Sequence, residues 1–385
     1  MTFFTALIFF AQQEIYIAKV SGVINPVTAT YLIDAIEKTE INQGMCLIIE
    51  LDTPGGLDES MRDVVKKMLN AKIPIVVYVY PRGARAASAG AFITLAAHIA
   101  AMAPGTNIGA AHPVSMGGQQ IDSVMKDKVT NDAAAYLVSI ARERRRNEQW
   151  AEDAVRKSIS TTADEALKLK VVDILATSEE DLVSKIDNFK VSIKDTVITL
   201  KTLGKKVVQH GMPLRDRFLL TITNPNIAYL LLILGFYGLI FELQNPGAVF
   251  PGVVGGICLI LAFYSLHLLP VNYAGVALIL LALIFFTLEL YVTTHGILGT
   301  GGVVSLVLGS LMLFKSEIPF LKVSLEVIVI VVVFTILFII FLLFFGIKAQ
   351  FRKPVTGREG LIDEIGIAKT DVNKDSGTIL IHGEL

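Results

Sequence analysis

The 385-residue chain is 53% hydrophobic and only 18% charged, with a mean hydropathy of +0.61, a balance that excludes a wholly soluble enzyme. Its formal net charge of −1, 34 Lys and Arg against 35 Asp and Glu, supplies no basic excess for phosphates and gives nucleic-acid binding no support. Cys46 and Cys258 are far apart and Cys258 lies in an apolar run, so neither a disulfide framework nor a Cys-based metal site is indicated.

The chain opens with FFTALIFFA at residues 3–11, which reads as a secretory signal segment within residues 1–13 or, alternatively, as a buried first strand. Residues 14–205 have the composition of a globular domain. A strand is predicted at residues 15–23 and a helix at about 26–39. CLIIELD at 46–52 is an uninterrupted apolar strand of the kind buried on both faces. An amphipathic helix follows at about 57–70, then the strand PIVVYVY at 74–80 and a small-residue helix at about 86–98. This β-α-β-α order predicts an α/β domain whose site lies in loops at the carboxyl ends of strands.

Two of those loops carry chemistry. Asp52-Thr53-Pro54-Gly55-Gly56 leaves its strand with two glycines, whose peptide N–H groups no side chain obstructs; it reads as an ordinary turn or as an oxyanion cradle. The loop from Pro81 to Gly90 sets Ser88 among tiny residues where a helix begins, as a cap, a packing residue or a nucleophile. Together, a nucleophile at a helix N-terminus and a Gly-Gly loop on the preceding strand supply both halves of an acyl-transfer site. Further on, Arg142, Arg144, Arg145 and Arg146, with Glu143 and Glu148 close by, read as a solvated helix face, with lipid headgroups or another subunit as alternative contacts.

Residues 206–226 read as a linker. Five apolar stretches follow, at about 227–243, 250–269, 274–292, 297–314 and 323–347, each near the roughly 20 residues that cross hydrocarbon as a helix. Residues 227–347 are thus predicted to be a multi-pass transmembrane bundle in the lipid bilayer. Gly252, Gly255, Gly256, Gly299, Gly301, Gly302 and Gly309 stand at helix-contact spacing. The segments 240–256 and 288–302 read alike, an apolar helix ending near Glu242 or Glu289 and then a Gly-rich helix start, which suggests a repeated hairpin; the two carboxylates are expected at the membrane interface. Lys348, Arg352, Lys353 and Arg358 after the last stretch place the C-terminus in the cytoplasm and, with five spans, the first domain outside. Residues 348–385 look like the start of a small β domain.

ELDTPGG (50–56), ARAASAG (84–90) and MAPGTNIGAAHPV (102–114) resemble the membrane-bound serine proteases of the NfeD family, the stomatin operon partner proteins in their long form, which share the Clp protease/crotonase fold. ELQNPGAVFPGVVGG, LLPVNYAG and THGILGTGG resemble that family's spans, and GREGLIDEIGIAKTDVN resembles the start of its C-terminal OB-like domain. The resemblance implies an α/β protease domain, an all-α membrane domain and part of an OB-like β domain. It implies Ser88 as nucleophile, Lys128 as general base, and the N–H groups of Ala89 and of Gly55 or Gly56 as oxyanion donors. A solvated Lys has a pKa near 10.4, so the dyad demands apolar surroundings for Lys128, from Val124, Val129 and Tyr136, and requires Asp127 and Asp132 to point elsewhere. His112, spaced from Ser88 much as the Clp histidine is from its serine, is the alternative base.

The expected function is ATP-independent cleavage of hydrophobic segments of membrane-associated proteins such as a stomatin-like partner, in a prokaryotic plasma membrane and as a homo-oligomer. The pattern GxxxxGK[ST] does not occur, and no cofactor or metal is called for. A non-catalytic scaffold that binds a stomatin-like partner and organises membrane microdomains is the alternative. Crotonase-like thioester chemistry is a weaker third reading, since it needs no hydroxyl nucleophile partnered by an amine.

Overall fold

The structure is a computed structural model that describes residues 13–114, 122–194, 196–244, 247, 249–269, 271–292, 294, 296–314, 322–350, 365–373 and 376–381. The predicted signal segment and most of the C-terminal β domain lie outside the described residues. Contacts divide the chain into two units. Of the described residues, the first holds those up to 232 with 258–269 and 322, and the second holds 233–257, 271–314 and those from 323 onward.

The first unit runs β1 (Ile15–Ser21), α1 (Pro26–Ile41), β2 (Cys46–Asp52), α2 (Asp58–Leu69), β3 (Ile75–Val79), β4 (Arg85–Ala87), α3 (Ala89–Ala96), β5 (Ile99–Met102), β6 (Asn107–Gly109), α4 (Ser123–Glu143), α5 (Glu148–Arg156), β7 (Ser160–Thr162), α6 (Ala163–Lys168), β8 (Ile174–Leu175), α7 (Glu179–Lys185), β9 (Lys190–Ile193), β10 (Thr196–Thr199), β11 (Val207–His210) and α8 (Leu214–Ile222). Six strands form a parallel sheet in the order β11-β1-β2-β3-β5-β8. Alternation along the central strand β2 explains why apolar residues occupy both of its faces: Leu47, Ile49 and Leu51 enter one core cluster with α1 to α5, while Cys46 and Ile48 enter another with α7, β9 and β10. Burial pushes the Cys46 thiol up to about 12. The sheet continues into the segment read as a linker, because β11 pairs with β1 from Ile15↔Val207 to Ala18↔His210, and α8 follows it. A second sheet, β4-β6-β7, crosses the site loops.

The helix predicted over residues 86–98 is divided. Residues 85–87 form β4, Ser88 turns to φ 52°, and the helix starts at Ala89. The arginine run is also corrected, since two of its members face inward. Arg144 Nε donates to the Ala96 carbonyl at 2.9 Å, and Arg146 Nη1 donates to those of Leu95 and Ala97 at 2.5 and 2.9 Å. Arg146 Nη2 pairs with Asp173 at 2.6 Å. The carbonyls that end α3 have no intrahelical partners and carry the negative end of the helix dipole, which draws both guanidinia in. Arg142 stays exposed and pairs with Glu148 at 2.6 Å.

Five apolar helices follow: α9 (Pro225–Gln244), α10 (Val249–His267), α11 (Tyr273–Tyr291), α12 (Ile297–Met312) and α13 (Leu325–Gln350). By length and composition α9 and α10 meet the requirement for a span over 19 residues each, and among the described residues the apolar parts of α11, α12 and α13 cover 273–289, 297–312 and 325–341. Large apolar side chains point outward, with Ile260 70% and Ile330 65% exposed. Within the second unit several glycines sit at close approaches. A Cβ on Gly255 would lie 2.8 Å from the Gly235 carbonyl oxygen, and one on Gly309 would lie 2.8 Å from the Ile279 nitrogen. The Glu289 carboxylate is buried and holds the start of α12, accepting from Thr294 Oγ1 at 2.6 Å and from the Gly296 and Gly299 amides at 2.9 and 2.8 Å. Glu242 lies against Gly252, at the same ten-residue interval, so closely that a Cβ there would collide with its carboxylate. The two hairpins thus share a device, a carboxylate lodged at the first turn of the following helix. Beyond residue 364, β12 (Ile367–Ala368) and β13 (Ile379–Leu380) form an antiparallel pair.

Candidate active site

The site gathers at the carboxyl ends of β1, β2 and β3. Thr53, just past β2, binds β4 by accepting from the Ala87 amide at 3.1 Å and donating its own to Arg85 at 2.7 Å. This zipper brings the Gly-Gly loop against the serine, and a Cβ on Gly55 would lie 2.8 Å from Ser88 Cβ. On the other side, Ser88 donates its amide to the Gly109 carbonyl at 3.0 Å. Held from both sides, Ser88 adopts the left-handed backbone region, which a residue bearing a Cβ enters only where its surroundings impose it. It stands half-buried immediately before α3, where helical N–H groups are unsatisfied.

The four residues 53–56 divide their duties. Thr53 Oγ1 accepts from the Gly55 amide and donates to the Gly55 carbonyl, both at 3.0 Å. Ile24, after β1, grips the same loop by donating to the Gly55 carbonyl at 2.9 Å and accepting from the Leu57 amide at 2.8 Å. Gly56 must lack a side chain, because a Cβ there would collide with the Ile24 carbonyl. The Gly55 N–H is therefore committed. Neither the Gly56 N–H nor that of Ala89, first residue of α3, donates to a backbone oxygen among the described residues.

Ser88, Ala89, Gly56 and Lys128 line one cavity of about 460 Å³. Met61, Phe92, Val129 and Ala133 give it an apolar wall. Gly55 and His112 are not among its lining residues. The His112 ring is tied by Nδ1 to the Val155 carbonyl at 3.0 Å. Lys128, on the second turn of α4, is exposed, as are Val124 and Val129, the neighbours expected to desolvate it; Tyr136 is half-buried. The first two turns of α4 carry these side chains beyond the packed core, which α4 joins only from Ala133. Among the described residues, the chain by itself supplies no dry pocket for this amine.

A feature invisible in the sequence is the wall beside Lys128. Arg62 of α2 donates Nε to Asp58 at 2.8 Å, pairs through Nη2 with Asp132, and lies over the Tyr136 ring at 4.5 Å from its centroid. Burial works against the Arg62 charge, but the hydrogen bonds and charges of Asp58 and Asp132 outweigh it and raise its pKa. Burial likewise pushes the Tyr136 phenol up.

Comparison with known proteins follows this geometry. Residues 14–208 match the NfeD1b N-terminal domain, and residues 226–345 match the NfeD integral membrane domain. The chain is 36% identical to membrane-bound protease PH1510 of Pyrococcus horikoshii, covering 97% of this chain and 87% of that protein. It is 27% identical to membrane protein NfeD1b of Bacillus subtilis, covering 97% and 86%. Among solved structures it resembles the 1510-N membrane-bound stomatin-specific protease, in a lysine-to-alanine mutant with a substrate peptide (TM-score 0.52, 34% identity, 55% of this chain, 98% of that one). A serine-to-alanine mutant of the same protease matches with TM-score 0.50 and 36% identity over 52% of this chain and 98% of that one.

Proposed function

The chain belongs to the NfeD family of membrane proteins, and from that premise we propose that it is a membrane-anchored, ATP-independent serine endopeptidase with Ser88 as nucleophile and Lys128 as general base. The observation that carries the reading is the shared cavity, in which a strained helix-start serine, a lysine and two uncommitted amides converge. Lys128 Nζ takes the Ser88 proton as Oγ attacks the peptide carbonyl, and the oxyanion is met by the Gly56 and Ala89 N–H groups. Lys128 then protonates the leaving amine, and a water deprotonated by Lys128 releases the acyl group. An apolar substrate segment lying along Met61, Phe92 and Val129 also covers Lys128, so the substrate itself removes water from the base. His112, bound to Val155, is the weaker candidate.

The relatives named for stomatin specificity support a stomatin-like membrane protein as substrate or partner. In this reading α9 to α13 are five spans, the protease domain lies outside the cytoplasm, the tail is an OB-like module, and the protein works as a homo-oligomer. Ser88→Ala and Lys128→Ala should each lower cleavage of an apolar peptide at least roughly 1000-fold without shifting thermal unfolding. The check is cleavage together with labelling of Ser88 by a serine-directed fluorophosphonate in detergent. A wild-type protein that binds a stomatin-like partner yet neither labels nor cleaves is a scaffold.

A further inference from the structure

Asp132 lies one turn beyond Lys128 on α4, and residues four apart share a helix face. Both line the cavity that holds Ser88. An aspartate at that spacing pairs with a lysine and keeps it protonated, the wrong state for a base. Here the Asp132 carboxylate is taken instead by Arg62, 70 residues away in sequence. Arg62 is braced in turn by Asp58 at 2.8 Å and by the Tyr136 ring, one turn further along α4, and Tyr136 stacks on Phe92 of α3 at 5.9 Å. The guanidinium is thus clamped to the face of α4 that carries Lys128.

We propose that Arg62 is a positioning residue for proteolysis: it withholds Asp132 from Lys128 and sets a fixed positive charge beside the amine, which frees Lys128 to act as the neutral base. The inference rests on the Ser88 and Lys128 reading. The charged groups at the cavity besides Lys128 are Asp58 and Arg62 from α2 and Asp132 from α4; α3 and the loop at residues 111–114 line it with uncharged residues. Lys126 and Asp127, beside Lys128 on α4, are exposed, and Arg156 of α5 is held by Glu152 and Asn131. Removing the guanidinium takes away one positive charge and releases an anion onto the base.

The test is the pH profile of kcat/KM for an apolar peptide, and of fluorophosphonate labelling at Ser88, with the full chain in detergent. Arg62→Gln should move the acid limb upward by about half to one pH unit, a roughly three- to tenfold loss at neutral pH that is recovered in alkali. Arg62→Gln combined with Asp132→Asn should move the limb back, and Arg62→Lys should preserve most of the wild-type profile. A purely structural role predicts instead a loss at every pH that Asp132→Asn does not restore. Wild-type protein that neither cleaves nor labels overturns the dyad and this inference together. Active wild type with an Arg62→Gln limb that coincides with its own, or with a loss the second substitution leaves in place, overturns the role of Arg62 alone.

Discussion

Thr53 shows how much of this site hangs on single atoms. Its buried hydroxyl both accepts from and donates to Gly55, while its backbone holds β4, so one residue sets the loop that presents the Gly56 amide. Thr53→Val keeps the shape and deletes the hydroxyl, leaving the buried Gly55 N–H without its acceptor at a cost of about 1 to 3 kcal/mol. Lower kcat with little change in KM and a lower unfolding temperature are expected, with Thr53→Ser close to wild type; kinetics and thermal melts on the three proteins decide it. Ser88 and the Gly55-Gly56 loop were legible as candidates because short motifs carry them. The division of labour between the two glycines was not, since it depends on the Thr53 hydroxyl and on Ile24, some 30 residues earlier. Arg62 was illegible for the same reason: nothing in its neighbourhood names Asp132.

Elements show the same split. The strand CLIIELD and the helix α2 were readable from periodicity, because burial on two faces or on one leaves its mark on residue order. The break of a small-residue run into β4, Ser88 and α3 was not, since Ala-rich sequence suits a helix and only tertiary hydrogen bonds at Thr53 and Gly109 impose the turn. Likewise the arginine run looked solvated until α3 offered its C-terminal carbonyls. In the membrane region, glycine spacing signalled close helices, and the structure separates the glycines in contact from those in the open. Gly309→Leu should disturb the packing of α12 on α11, at about 1 to 3 kcal/mol or more, whereas Gly256→Leu, with open space around it, should be close to neutral. Thermal unfolding in detergent compares the two.

At the scale of the molecule, acid sensitivity follows from His98. Burial, reinforced by the charges of Arg144 and Arg146, lowers its pKa from 6.5 to about 3, while Nδ1 accepts from the Ile75 amide at 3.1 Å. The unfolded chain therefore binds a proton that the folded one refuses, so this contribution is complete above pH 6.5 and is lost as the pH falls toward 3. Between pH 6.5 and 5.5 the loss is about 1 kcal/mol, and His98→Gln should flatten that part of the stability curve in thermal melts. Burial lowers the His210 pKa as well, which adds in the same direction. Composition and hydropathy alone divided the chain into a globular part and an apolar part, because membrane and water select residues in bulk. Motifs alone pointed to the serine and the Gly-Gly loop, because their chemistry is local. Which amide is free and what accompanies Lys128 were decided by groups brought together from distant parts of the chain, and hydrogen bonds and charges act across space without regard to the residues between.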